Sequence, residues 1–356
     1  MKTIKALIAA TVLLIGAAAL AHAFLQRQTA HRIGIASPSG IDALEEVSFG
    51  GVPQWIQIRG WDRRKPLLLF LHGGPGFPQM PFAHQNAALE KNFVVVQWDQ
   101  RGAGKSFSKS LEGDALKIEQ FVSDTHELVE LLLKRFVAPK CYLVAHSWGS
   151  ILGANIVSKH PELFYAYIGI GQVASPYESQ QVRYRFAFGA AERAHDEQAT
   201  RALRAAGAPP YPDFARADEL ERWVQHYSRR RHVPLGRGRF TWLAVNSPAY
   251  SWADLVRIPL GERFSVAHLW RESFYDVNLF EQVPSLEVPV FFFIGRHDTV
   301  VTPDVTERYF NALEAPRGKQ MIWFEESGHW PHFEEPRVYR ESLARVLQQT
   351  NPSAVK

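Results

Sequence analysis

The stretch from Cys141 to Val157, CYLVAHSWGSILGANIV, constrains the rest of the chain most. An apolar run leads into Ser147, and a helix of small residues leads out of it. A strand, a sharp turn and a helix in such quick succession need small side chains where the two backbones cross. Ala145 and Gly149 stand in those places, where bulk would force the turn open. A turn of this kind lifts one hydroxyl clear of the sheet edge, so Ser147 is a candidate nucleophile. The pattern small-x-Ser-x-Gly also arises by chance, so the partners must come from elsewhere in the chain.

A chain of 356 residues, 46% of them hydrophobic, fits one large domain with an insertion or two modest ones. The net charge of +4 falls to +2 without Lys2 and Lys5, which is too mild for nucleic acid or an anionic surface as the main partner. Cys141 is the only cysteine. No disulfide framework is available, and a cysteine within an apolar strand is expected to be buried and inert. Lys2 and Lys5 give a positive start, Ala6 to Ala21 is an uncharged apolar run, and Ala21-His22-Ala23 matches a small-x-small cleavage site. Residues 1–23 are therefore expected to be a signal peptide, with the mature chain beginning near Phe24 and exported to the periplasm or secreted. The rival reading is an uncleaved anchor, because the apolar stretch extends to Leu25 and reaches membrane-spanning length. A membrane is a partner only on that reading.

Strand-like and helix-like segments alternate along most of the chain. Ser48 to Gly60 suggests two strands joined at a glycine pair, after a polar lead-in. Pro66 to Leu71 is a continuous apolar run, the mark of a strand buried on both faces, and it empties into His72-Gly73-Gly74-Pro75-Gly76. Phe93 to Trp98 gives the next strand and ends in Asp99-Gln100-Arg101-Gly102-Ala103-Gly104-Lys105-Ser106. Ile118 to Phe136 carries apolar residues at helical spacing. Tyr165 to Gly171, Val288 to Ile294 and Gln320 to Phe324 are further strands, the last followed by a helix from about Arg337 to Gln348. Between residues 174 and 284 the strand-like runs vanish. Helical stretches near Glu178–Ala194, Asp196–Ala206 and Ala217–Arg230 take their place, with Ser251 and Ser265 as expected N-caps. The expected fold class is α/β, a mostly parallel central sheet flanked by helices. Residues 24–173 and 285–350 form its core, and residues 174–284 a helical cap.

Parallel α/β sheets place ligand sites at the carboxyl ends of their strands. The loops carrying His72–Gly76, Ser147, Asp298 and His329 all begin at such ends, with serine, acid and histidine in the order expected for a serine on a strand–turn–helix elbow. A serine hydroxyl needs a base at neutral pH. His329 is the candidate, and Asp298 would hold its tautomer and stabilise it once charged. Asp99 is the rival acid, set aside because it precedes the nucleophile and belongs to a glycine-rich loop. His146 and His297 are expected to be structural, and His332 is ambiguous. Glu325, Glu326, Glu334 and Glu335 are expected to solvate the last loop and cap the last helix. For the oxyanion the backbone N–H of Trp148 is one expected donor and that of Gly74 the other. Glycines let that loop pass close to a substrate carbonyl. The Gly74–Pro75 bond is a candidate for the cis form. Nothing in the glycine-rich loops has the lysine and serine spacing of a phosphate cradle. No metal or cofactor is implied.

HGGPG at 72–76, DQRGAGKS at 99–106, AHSWG at 145–149, GRHD at 295–298 and SGHW at 327–330 together resemble the α/β-hydrolase superfamily, over roughly Pro66 to Leu347. More narrowly, the chain is similar to the proline iminopeptidase group. The resemblance implies the α/β-hydrolase fold, gives Ser147, Asp298 and His329 the roles reached from their positions, and assigns Gly74 and Trp148 to the oxyanion hole. Two departures stand out. The first glycine of the elbow is Ala145. Aminopeptidases of this group hold the substrate amine with cap glutamates, one in an N-G-P-x-E-like segment, and the similar stretch here, Asn246-Ser247-Pro248-Ala249-Tyr250, has tyrosine where the acid would fall. Glu178, Glu192, Glu219, Glu221 and Glu272 are other acids of the cap. The arginines 229–231 with His232, Arg237 and Arg239 are expected to be a solvated helix end and loop. The expected function is cleavage of an ester or amide bond of a small-molecule or short peptide substrate through an acyl-enzyme. An aminopeptidase is the alternative, and a non-catalytic binding protein the reading from another class.

Overall fold

The computed structural model describes residues 2–228 and 236–350. Eight strands, β1 (Ile41–Phe49), β2 (Val52–Gly60), β3 (Leu67–Leu71), β4 (Val94–Asp99), β5 (Cys141–His146), β6 (Phe164–Ile170), β7 (Val290–Gly295) and β8 (Lys319–Phe324), form one sheet in the order β1-β2-β4-β3-β5-β6-β7-β8. The pairs β1–β2 and β2–β4 are antiparallel and all others parallel. In β3, β4, β5 and β7 every residue is buried, as continuous apolar runs require. The first strand begins at Ile41, well before Ser48. Its Asp42, Glu45 and Glu46 resemble a polar lead-in, yet an edge strand can turn them to solvent, and exposure alternates along it. Gly50 and Gly51, at φ +59° and +77°, make the tight turn into β2.

Helices cover both faces. Helices α2 (Ile118–Phe136) and α3 (Gly149–Lys159) and, after β7, α10 (Pro303–Ala312) pack on one side through Leu128, Ile156 and Tyr309. Helix α12 (Pro336–Thr350), which follows the short α11 (Pro331–Glu334), packs on the other through Tyr339, Leu343 and Val346. A buried ion pair fastens α2 to the loop after β4. Arg101 donates from Nε and Nη2 to the two oxygens of Asp124 at 2.6 and 2.7 Å, and also to the carbonyl of Gly50. The pairing is bidentate, the geometry in which an arginine–carboxylate pair is strongest.

Between β6 and β7 lie α4 (Pro176–Arg193), α5 (Glu197–Ala206), α6 (Phe214–Ser228), α7 (Arg237–Val245), α8 (Trp252–Phe274) and α9 (Leu279–Gln282). Ser251 caps α8 in a reciprocal capping box with Asp254. The other expected cap, Ser265, is corrected. It lies inside α8, which runs unbroken through Pro259, and its hydroxyl donates to the carbonyl of Gly102 at 3.3 Å. A small residue is needed there because a Cβ on Gly102 would come within 3.0 Å of that hydroxyl. Residues 229–232 of the arginine cluster lie outside the described residues, and Arg239 is exposed. Two apolar clusters divide these helices. One joins α4, α5 and α6, and the other joins α7 and α8 to Met80 and Phe82 of the segment after β3.

At the N-terminus α1 (Lys2–Arg32) continues through Ala21-His22-Ala23 without a break. His22 is buried against Trp252, with ring centroids 4.4 Å apart. Gln26 donates to the carbonyls of Ser247 and Tyr250 at 2.7 and 2.5 Å. Tyr250 in turn donates its hydroxyl to Asp99. The same Asp99 oxygen accepts from the Lys105 N–H at 2.8 Å, while Lys105 Nζ pairs with Asp254 at 2.7 Å.

Asp99 is fully buried, and its second oxygen has no hydrogen-bond partner among the described residues. Burial pushes its pKa up to about 7. Tyr250 and Lys105 oppose that rise and Asp254 adds to it. In the unfolded chain the group ionises near 3.8, so the unfolded state releases its proton first as pH rises. The folded state therefore loses stability between about pH 4 and 7, by up to about 4 kcal/mol at 1.36 kcal/mol per unit. The Asp99→Asn variant keeps the acceptor but not the titration. Melting temperatures from pH 5 to 8 should show wild type falling relative to this variant as pH rises, and parallel profiles would refute the assignment.

Candidate active site

Ser147 sits between the end of β5 and the start of α3 with φ +54°, a left-handed conformation that costs a residue with a Cβ about 1–2 kcal/mol. Local contacts hold it there. Its N–H donates to the carbonyl of Ile170 at 2.9 Å, and the N–H and hydroxyl of Ser150 both donate to its carbonyl, at 2.8 and 2.6 Å. The helix passes so close to β3 that a Cβ on Gly149 would lie 2.5 Å from the carbonyl oxygen of His72 and 2.6 Å from that of Leu71. The smallness read at this position therefore has a specific cause. Ala145, in place of the elbow's first glycine, is fully buried and leaves no room for a side chain on the facing helix. A Cβ on Gly153 would meet it at 2.8 Å.

The ends of β7 and β8 supply the partners. His329 Nε2 is 2.9 Å from Ser147 Oγ, and His329 Nδ1 is 2.8 Å from Asp298 Oδ2. The other Asp298 oxygen accepts from the N–H groups of Val300 and Val301 at 2.8 and 2.9 Å. A carboxylate only accepts, so Nδ1 carries the proton and the Nε2 lone pair faces the serine hydroxyl. The three residues are nearly buried, with Ser147 and His329 each 9% exposed and Asp298 4%. Gly171, at the end of β6 with φ +52°, makes room for the pair, since a Cβ there would lie 3.3 Å from both side chains. Asp99, the rival acid, is committed to Tyr250 and Lys105 instead.

Trp148 opens α3, and among the described residues neither its N–H nor that of Gly74 is used in a hydrogen bond. The Gly74–Pro75 bond is cis, and Gly74 has φ +119°. Gly73 is the glycine that touches the turn, because a Cβ on it would lie 3.0 Å from that of Ser147. His72 sets the path of this loop. Its Nδ1 donates to the carbonyl of Gly73 at 2.9 Å and its Nε2 accepts from the Gln100 N–H at 3.1 Å. Burial lowers its pKa to about 4, which keeps the ring neutral and this donor–acceptor pattern intact.

Other residues brace the histidine loop. His146 Nε2 donates to the carbonyl of His329 at 2.8 Å. Burial, with the neighbouring His329 and His332, pushes its pKa well below the ordinary value. His332 is also fully buried, held by Gln79 at 2.9 Å and lowered to about 3 by burial and His329. Glu334 accepts from the Gly328 N–H at 2.6 Å, and Glu335 from the Ser327 hydroxyl and the Glu326 N–H. These two glutamates tie the loop down rather than solvating it. Glu325, paired with exposed Arg296, and Glu326 are the exposed acids of this loop, as expected.

The acids of the cap now have positions. Glu178 pairs with Arg308 on the surface, Glu192 lies exposed near Arg204, Glu219 accepts from Trp223 Nε1, and Glu272 accepts from the Ile118 N–H. Glu221 of α6 is different. It pairs with Arg183 of α4, accepts from Gln225 at 2.7 Å and lies within electrostatic reach of the His329 ring. Burial pushes its carboxyl up, yet Arg183, Gln225 and His329 together hold it below the usual carboxylate range. Its side chain remains 32% accessible. Among the described residues no cluster of three His, Cys, Asp or Glu side chains is placed to hold a metal ion.

The arrangement has recognisable relatives. Residues 66–336 match the model of the alpha/beta hydrolase fold family. A probable aminopeptidase, YbaC of Bacillus subtilis, is 37% identical over 87% of this chain and 98% of its own. A proline iminopeptidase of Heyndrickxia coagulans is 26% identical over 79% of this chain and 90% of its own. Among solved structures, a proline iminopeptidase-related protein from Thermus thermophilus superposes with a TM-score of 0.63 at 20% identity, over 88% of this chain and 99% of that one. With the sheet order, the elbow and these matches in agreement, the chain belongs to the α/β-hydrolase fold family and resembles its proline iminopeptidases.

Proposed function

We propose that this hydrolase cleaves ester or amide bonds of a small substrate through an acyl-enzyme on Ser147. The observation that carries the reading is the unbroken chain of hydrogen bonds from Ser147 Oγ through His329 to Asp298. His329 takes the serine proton as the hydroxyl attacks the substrate carbonyl and returns it to the leaving group. Water, activated by the same imidazole, then releases the acid. Asp298 holds the tautomer and stabilises the imidazolium. The free N–H groups of Trp148 and Gly74 are the donors assigned to the oxyanion, each worth on the order of a hundredfold to a thousandfold in turnover.

An aminopeptidase reading is favoured by one further observation, the position of Glu221, and by the names of the relatives above. An ionised and partly accessible carboxylate within electrostatic reach of the histidine can accept a hydrogen bond from a substrate ammonium, whereas Tyr250, where the group's acid would stand, is turned to Asp99. We further propose that the protein is exported and that α1 stays attached as a membrane anchor. Support comes from the positive start at Lys2 and Lys5, from a helix long and apolar enough to cross a membrane, and from the packing of His22 and Gln26 on the cap.

A fluorophosphonate probe should label wild type and leave Ser147→Ala unlabelled, and equal labelling of both would sink the mechanism. Asp298→Asn should lower kcat by about four orders of magnitude while the melting temperature holds. Full activity in that variant would mean that another acid serves His329. Proline arylamides with a free amine should be turned over faster than their N-acetyl forms. Glu221→Gln should cut kcat/KM for the free-amine form by about 10- to 100-fold, the worth of a charge-assisted hydrogen bond, and leave short-chain aryl esters nearly untouched. An equal loss on both substrates would remove the amine reading and keep the hydrolase.

A further inference from the structure

The N-terminal helix has two parts. Between Thr3 and Ala21 every side chain whose burial is described is exposed, and Leu7, Val12, Leu13, Leu14 and Leu20 are each more than 60% exposed. From His22 onward it lies on the cap, with Thr29 buried and Gln26 bonded to the chain between α7 and α8. The uncovered part spans roughly 28 Å at 1.5 Å per residue, close to the roughly 30 Å of hydrocarbon in a bilayer. Packing of apolar residues around this helix is absent among the described residues, so a hydrocarbon environment would place the water boundary near His22 to Phe24.

The surface at that level is unusual for one that meets only water. Trp242 is 57% exposed and Trp252 46%, and one and two turns beyond Trp252 on the same face of α8 stand Val256 (61%) and Leu260 (45%). Arg257 and Arg263 edge this face, while Asp254 is buried with Lys105. Exposed tryptophans beside aliphatic residues with cations at the margin are what the headgroup level of a membrane selects. Between α1 and α7 opens a cleft of about 910 Å³. Phe24, Leu25 and Trp242 form its apolar wall, and Arg27, Arg32 and Arg239 line it with cations. No carboxylate lines the cleft. Among the described residues none of the three arginines has an ion-pair partner. Uncompensated guanidinium groups in one concavity favour an anion that can take up several of their donors. The adjacent apolar wall suits the upper part of an acyl chain, which a free phosphate lacks.

We propose that this cleft binds the headgroup of an anionic phospholipid and so seats the hydrolase on the bilayer with the α7–α8 face of its cap toward the lipid. The net charge of +4 gives no hint of this, because the cations that matter are gathered in one place. The proposal rests on the anchor reading of α1 for its geometry, but the cleft is built from residues 24–32 and the cap and persists if the chain is cleaved after Ala23.

The test uses the full chain purified in a neutral detergent. Dioctanoylphosphatidylglycerol should raise its melting temperature saturably, with dioctanoylphosphatidylcholine and inorganic phosphate giving little shift. The double variant Arg27→Gln/Arg239→Gln should weaken the response about tenfold or more. Hydrolysis of a soluble ester should be unchanged in the variant, which shows that it folds. Equal shifts from both lipids, or from phosphate alone, would overturn the proposal. So would a wild-type dimer, seen by light scattering, that buries the cleft and ignores the lipid. Extraction of cell membranes with alkaline carbonate reads the anchor separately. Release of the protein there, with the phosphatidylglycerol response intact, would end the anchor reading and leave the lipid site standing.

Discussion

Ser147 is held in a backbone conformation that a residue with a Cβ avoids, and the surrounding architecture is arranged to impose it. The crossing of α3 over β3 leaves no space for a side chain at Gly149, and Gly73 passes against the serine from the other side. The N–H of Ser147 is taken by β6 and its carbonyl by Ser150. Strain of about 1–3 kcal/mol persists at a site only where the structure over-determines it. Here β3 with the loop after it, β6 and α3 do so. Releasing the turn would lower the hydroxyl toward the sheet and away from His329, so the hydrogen-bond chain to Asp298 depends on that close crossing.

Much of this was readable from residue order because the signals are local. Continuous apolar runs at Leu67–Leu71, Cys141–Val144 and Val290–Ile294 could only be strands buried on both faces, and glycine-marked loops after them had to gather at one edge. The helix over Ile118–Phe136 follows from its apolar period alone. Ser147, Asp298 and His329 do meet in space, and His146 is turned to the loop backbone. Where the reading failed, a tertiary contact outweighed a local rule. Ser265 suggested a helix start, but α8 uses its small hydroxyl to approach Gly102. The same helix runs unbroken through Pro259, with packing on either side to carry it past the proline. Acidic residues hid the edge strand at Ile41.

Side chains that act through another residue left the weakest trace. Gly171 clears space for Asp298 and His329, and nothing about a glycine after a strand announces that. Glu334 and Glu335 look like the start of a helix, and their hold on the backbone of Ser327 to Gly328 needs the fold of the loop to be seen. The acids of the cap are alike in sequence. They are separated only by their surroundings, and Glu221 is the one paired with Arg183 within electrostatic reach of His329. Tyr250 illustrates the same point from the other side. It stands where a substrate-binding acid would be sought, and it serves instead to join α1, the cap and the sheet through Asp99.

Helix α8 is bound to the core at intervals along its length. Asp254 meets Lys105 at its start, Ser265 meets Gly102 in its middle, and Glu272 and Ser273 meet the Ile118 N–H and Trp148 Nε1 near its end. Helices α4, α5 and α6 share a separate apolar cluster, and they meet the end of α8 through Trp270 and through Tyr275, which accepts from the N–H of Tyr211. The covering of the site is therefore assembled from two apolar clusters joined at the end of α8. Glu221 belongs to one of them, and the helix that rests against the loop after β4 belongs to the other. The acid and the loops around Ser147 are thus set by different parts of the sequence, so a substitution in one cluster can alter what is recognised without touching the residues that do the chemistry.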